Sequence, residues 1–187
     1  MIYKRITLVM KKIALICSLL LCGWAPADLV KLDGGKVTFE APEGFKKLAQ
    51  DVIDKKWPSK RGPAFVVGNE AATTTIAYDI KPFKVPADEL PKVQKSFTDQ
   101  FSRIIPGIAW KKNKIIKLAG RNWIYLEMTS NAVDTDIYNM MLVTGYEGKM
   151  LVFNFNSTKE EFPQYEKRLR KSLNSISFKA GAKKQKK

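Results

Sequence analysis

Histidine is absent from the 187 residues, and the two cysteines, Cys17 and Cys22, both fall within the first 27. Without an imidazole, and without a thiol beyond residue 27, Ser-His and Cys-His nucleophile pairs are excluded. So are ordinary zinc sites, which draw on those two side chains. No disulfide framework is left to staple the body of the chain, and at this length none is needed to build a core. Acidic residues are also few: 18 Asp and Glu stand against 33 Lys and Arg, a formal charge of +15. Carboxylate, Lys, Tyr or Ser chemistry is what composition leaves open to an enzyme.

Long apolar runs are missing too. Ile13 to Leu21 is about half the ~20 residues that a spanning helix needs, so a permanent membrane anchor is not expected. With Lys11 and Lys12 before it and Ala25-Pro26-Ala27 after it, this run reads as a cleavable signal peptide covering residues 1–27. Met10-Lys11-Lys12 makes an alternative start. Leu19-Leu20-Leu21-Cys22 offers lipidation of Cys22 as a second route, although the small residue that normally precedes such a cysteine is here Leu21. Cleavage after Ala27 removes Lys4, Arg5, Lys11 and Lys12 and no acid, leaving +11. The expected address is periplasmic or secreted.

What is present reads as one α+β domain over 28–178, followed by a Lys-rich tail, 179–187, without core residues. Alternation predicts strands at Lys36–Glu40, Ala64–Gly68, Thr73–Ile80, Ile108–Trp110, Ile115–Leu118 and Trp123–Ser130. Lys46–Lys56 predicts a short helix. Val93, Phe97, Phe101 and Ile104 make an apolar stripe on a helix over Ala87–Ile105, with Asp88 as N-cap and Pro91 in its first turn. Asp136–Thr144 and Met150–Ser157 predict a hairpin around Gly145–Lys149, with Leu151, Phe153 and Phe155 on one buried face. Thr158-Lys159-Glu160-Glu161 reads as a capping box for a helix striped by Phe162, Tyr165, Leu169 and Leu173. An extended Ser175–Phe178 closes the domain.

Two patterns carry a resemblance. Phe39 to Phe45 spells F-x-x-P-x-G-F at the first strand, and Ser175-Ile176-Ser177-Phe178 supplies a closing S-x-S-F. With the element order between them, the chain resembles the PsbP-like superfamily, which includes the bacterial DcrB-like envelope proteins. The resemblance implies an antiparallel sheet of six to seven strands flanked by helices on both faces, an α/β/α sandwich. It also implies a binding or assembly module without catalysis, since members include photosystem subunits, a nuclear-import factor that binds a small GTPase, and chaperones for secreted toxins. Metal-binding members use His, so no metal and no cofactor is carried across.

The candidate binding surface has two parts. Trp57, Lys60, Arg61, Trp110, Lys111, Lys112 and Lys114 interleave cations with aromatics. In an exported protein this suits an acidic protein or an anionic envelope component rather than nucleic acid. Trp123 and Tyr125 share a strand face with Glu127 and Thr129, and Tyr138 lies across from them. That face is either an amphipathic groove or is covered by the first long helix. Asp134, Asp136 and Glu127 could gather around a hard cation, but Asp134-Thr135-Asp136 lacks the Gly and later Glu of a calcium loop and reads as a polar turn. The alternatives to a non-catalytic envelope module are an immunity or chaperone-type protein of a secretion system, and a His-free carboxylate or Ser-Lys hydrolase.

Overall fold

The computed structural model describes residues 28–58, 62–132 and 135–179. The expected signal peptide with Cys22, the candidates Lys60 and Arg61, Asp134 and the residues from 180 onward lie outside the described residues. In chain order the elements are β1 (Leu29–Leu32), β2 (Val37–Glu40), β3 (Lys46–Lys47), α1 (Gln50–Lys56), β4 (Phe65–Gly68), β5 (Thr74–Lys81) and α2 (Leu90–Ile104). They continue with β6 (Ala109–Leu118), β7 (Arg121–Asn131), β8 (Asp136–Tyr146), β9 (Lys149–Thr158), α3 (Phe162–Asn174) and β10 (Ser177–Phe178). Seven strands form one antiparallel sheet in the order β3-β4-β5-β9-β8-β7-β6, and β1-β2-β10 form a small second sheet.

Strand residues alternate between faces, and the core divides accordingly. Ile76, Trp123, Tyr125, Met140, Leu142, Leu151, Phe153 and Phe155 point to one side. There they meet Phe162, Leu169 and Leu173 of α3 and Val37, Phe39 and Ile176 of the small-sheet region. Ile124, Leu126, Met128 and Val143 belong to a second cluster, with Leu90, Val93, Phe97 and Phe101 of α2. Ile53 of α1 packs on Val66 and Ala77. Each fully buried side chain of this size contributes about 1.5–3 kcal/mol.

The two sequence patterns have physical reasons. Phe45 turns back after Gly44 (φ +80°) and is buried against Tyr165, ring centres 5.7 Å apart. Ser175 stitches the end of α3 to β2: its Oγ accepts from the Glu40 N–H at 2.8 Å and donates to the Ser172 carbonyl at 2.7 Å.

Several local expectations change. The Lys111–Lys114 run does not interrupt a strand. β6 is continuous, and the irregularity is a bulge between Trp110 and Lys112. Both long hairpins close in two residues, Ala119-Gly120 and Glu147-Gly148, all four with positive φ, the type I′ geometry that matches strand twist. Gly145 therefore lies inside β8, where a Cβ would sit 2.2 Å from the Val85 carbonyl oxygen. α2 begins at Leu90 after a 3-10 turn, without a cap from Asp88, and its stripe starts at buried Leu90 and leaves Ile104 64% exposed. Only half of the capping box forms. Thr158 Oγ accepts from the Glu161 N–H at 3.2 Å, while the Glu161 carboxylate turns away to accept from Thr73 and Thr74 at 2.7 and 3.0 Å.

Candidate functional site

β6 forms one edge of the large sheet and carries Lys111, Lys112, Lys114 and Lys117, all exposed. The register puts Lys112 opposite Glu127 and Lys114 opposite Tyr125. Lys112 and Lys114 thus stand on the α3 side of the strand, about 7 Å apart. Lys111 sits at the bulge. Trp110 does not join this row as a free ring: it is half-buried against α2 and donates Nε1–H to Ser102 Oγ at 3.2 Å.

Beneath Lys112 lies a carboxylate that belongs to the same face as the core. Glu127 is 2% exposed, and both of its oxygens are filled. Tyr138 O–H and Arg170 Nη2 (2.7 Å) donate to Oε1. Tyr125 O–H, Arg170 Nη1 (3.3 Å) and Lys112 Nζ (3.1 Å) reach Oε2. Arg170 is held in turn by Glu166 one helical turn earlier, at 2.8 Å, and Tyr138 is stacked on Phe162 with ring centres 3.5 Å apart. Burial alone pushes the Glu127 carboxyl up, but the hydrogen bonds from Arg170, Tyr125, Tyr138 and Lys112 outweigh it and hold it down at about 2. The tyrosines move the other way. Burial, then the bond to Glu127, raises Tyr125 and Tyr138 well above the usual phenol range. A general base works best with a pKa near the operating pH; this carboxylate is a fixed anion that ties α3 to β7 and β6.

The aromatic face expected to be groove or helix-covered is covered, and not by the first long helix. Trp123 is fully buried and donates Nε1–H to the Leu118 carbonyl at 3.0 Å; Tyr125 is also buried. α3 and the small sheet close over both, because Glu127 on that face finds its cation, Arg170, on α3. Trp57 is remote from this group, half-buried at the end of α1 against Ile53, Val66 and Ala77. Lys112, Tyr125 and Tyr138 are therefore the candidates that the structure gathers into one place. Arg170 and Glu166 were missed; their signal was the i, i+4 Glu–Arg spacing together with a lone acid on an otherwise aromatic strand face. Among the described residues, no group of His, Cys, Asp and Glu is placed to hold a metal ion. Glu127 is instead saturated by organic cations and phenols.

No family model and no curated protein matches the chain. Solved structures do. The chain is similar to cyanobacterial PsbP (CyanoP) from Synechocystis, with TM-score 0.57, 13% identity, and coverage of 87% of this chain and 99% of that one. It is similar to a protein of unknown function from Pseudomonas aeruginosa, with TM-score 0.51, 13% identity, and coverage of 83% and 99%. A third is LpqN of Mycobacterium tuberculosis, involved in cell envelope biogenesis, with TM-score 0.53, 12% identity, and coverage of 84% and 88%. The fold is PsbP-like.

Proposed function

We propose that the chain is an exported, non-catalytic binding module of the cell envelope that engages an anionic protein or envelope component through the β6 edge. The carrying observation is the lysine row: among the described residues only Lys112 of the four has a carboxylate partner, so Lys111, Lys114 and Lys117 face solvent with their charge uncompensated. Concentrated on one sheet edge, that charge attracts anions over about a Debye length, 8–10 Å. An edge strand also needs protection from pairing with other strands, and lysines and a bulge supply it; the same residues do both jobs.

Export rests on the leader pattern at 1–27 and accords with the envelope protein LpqN among the similar structures. Among the described residues no helix is long and apolar enough to cross a membrane. In the proposed layering, α1 and α2 cover one face of the sheet, and α3 with the small sheet covers the other. That leaves edges and loops for partners. The hydrolase alternative gains no support at Glu127, whose carboxylate has no oxygen free for substrate or water.

The test is capture from envelope extract with wild-type protein and a Lys111→Glu, Lys114→Glu, Lys117→Glu variant, at low and high salt. Lys112 is left in place because it contacts Glu127. The expected result is a partner held by the wild type at low salt and lost by the variant. Equal retention by both would refute the assignment to β6.

A further inference from the structure

The face of the large sheet that carries α1 and α2 is not closed between them. A cavity of about 240 Å³ opens there, walled by Trp57 on one side and Phe97 and Phe101 on the other, over a floor of Met141, Val152 and Asn154. Trp57, Phe97, Phe101, Met141, Met150 and Val152 are half-exposed, while Ala77 and Val143 of the floor are buried. Concave, half-exposed apolar surface around a few polar atoms is the usual form of a small-molecule site. The floor is also electrostatically incomplete. Asn154 Oδ1 is buried with no hydrogen-bond partner, and the Asn154 amide nitrogen meets Asn139 Oδ1 only at 3.4 Å.

The register gives the cavity a direction. Ala77 pairs with Asn154, Asp79 with Val152 and Lys81 with Met150. From the Asn154 end to the Met150 end the floor runs about 13 Å along β9. Lys81 stands at the Met150 end, paired to Asp79, which lies beside Val152 nearer the middle of the floor. The cation is the more accessible partner, with its side chain 37% exposed against 15% for the carboxylate. A ligand entering there meets an ammonium first, within a chain whose overall field is positive.

The geometry points to an amphiphilic monocarboxylate as the ligand of this cleft, its apolar body lying on Val152 and Met141 and its carboxylate at Lys81. A cavity of ~150 Å³ takes one benzene, so this one takes an apolar body of about ten carbons. Such a body spans the 13 Å floor when extended. The two methionines, Met141 and Met150, can adjust to its shape. Asp79 keeps the Lys81 ammonium at the mouth rather than in bulk water. This site is separate from the β6 edge, since β7 lies between β6 and β8, the nearest strand of the floor.

The test is titration of the full chain with decanoate, followed by amide chemical shifts, with decanol and butyrate as comparison probes and Lys81→Gln as the variant. Expected are saturable one-to-one shifts at Ala77, Met141 and Val152 with decanoate, none with butyrate, and decanoate affinity lowered about fivefold in Lys81→Gln, the scale of a partly exposed ion pair. Decanol binding is expected to be unchanged by that substitution, and so is partner capture through β6. Absence of saturable decanoate binding overturns the site. Equal decanoate affinity in Lys81→Gln overturns the head-group assignment, and loss of decanol binding as well would show that Lys81 acts through the fold.

Discussion

Replacing Glu127 by Gln keeps the shape of the side chain and removes its charge, leaving Arg170 and Lys112 without their shared anion and two phenols competing for one good acceptor. A carboxyl held at about 2 against an unperturbed 4.5 carries about 3 kcal/mol of stability at neutral pH. Arg170 is 30% exposed and Lys112 44% exposed, so solvent screening trims the expected loss to about 2 kcal/mol. With a urea slope of about 1–3 kcal/mol/M, the unfolding midpoint at pH 7 should fall by roughly 1 M. The sign of the pH dependence follows from a depressed folded-state pKa: the stabilisation is complete above 4.5 and is lost as pH falls toward about 2. The gap between wild type and Glu127→Gln should therefore be full at pH 7, roughly halved at pH 3, and nearly closed at pH 2. Urea titrations of both proteins across that range provide the assay. A gap independent of pH would show that Glu127 is not an ion in the folded protein, and the clamp argument would fail.

Two other outcomes concern the β8 backbone and the buried phenols. Gly145→Ala places a methyl 2.2 Å from a backbone carbonyl that cannot swing away, so stability measured by chemical denaturation should drop by at least the ~1–3 kcal/mol typical of overpacking. The ultraviolet titration of phenolate should show Tyr125, Tyr138 and Tyr146 silent through pH 11, with Tyr78, pushed by burial up to about 12, silent as well. Their ionisation is expected only together with alkaline unfolding.

The hairpin, both long helices and the buried Leu151-Phe153-Phe155 row were legible because each rests on local periodicity within one element. The burial of Phe45 has a similarly local cause, since Pro42 and Gly44 make the reversal that carries it inward. β1 was not. Leu29–Leu32 is short and half-exposed, and its strand character comes from pairing with β2. The lysine run in β6 misled because solvent-facing edge residues carry no alternation to read. The Glu127 node was half legible. The strand pattern put Tyr125 and Glu127 together, but the decisive partner, Arg170, is 43 residues away and arrives only when α3 docks. Which helix covers which face is a matter of tertiary pairing that no single segment encodes. The cleft beside Trp57 was invisible for the same reason, being assembled from α1, α2 and three strands.

The small sheet has a consequence for the order of events during synthesis. β2 lies between β1 and β10, and its pairing of Thr38 with Ser177 joins positions about 140 residues apart. Val37 and Phe39, both fully buried, cannot be enclosed until the last strand and the helix before it have emerged. At ~5–20 residues per second, a ribosome takes about 10–35 s to reach Phe178. For all of that time the domain lacks its closing strand. A chain built in this order leaves Val37 and Phe39 unenclosed until β10 has been added, so the small sheet is the last part of the described fold to close.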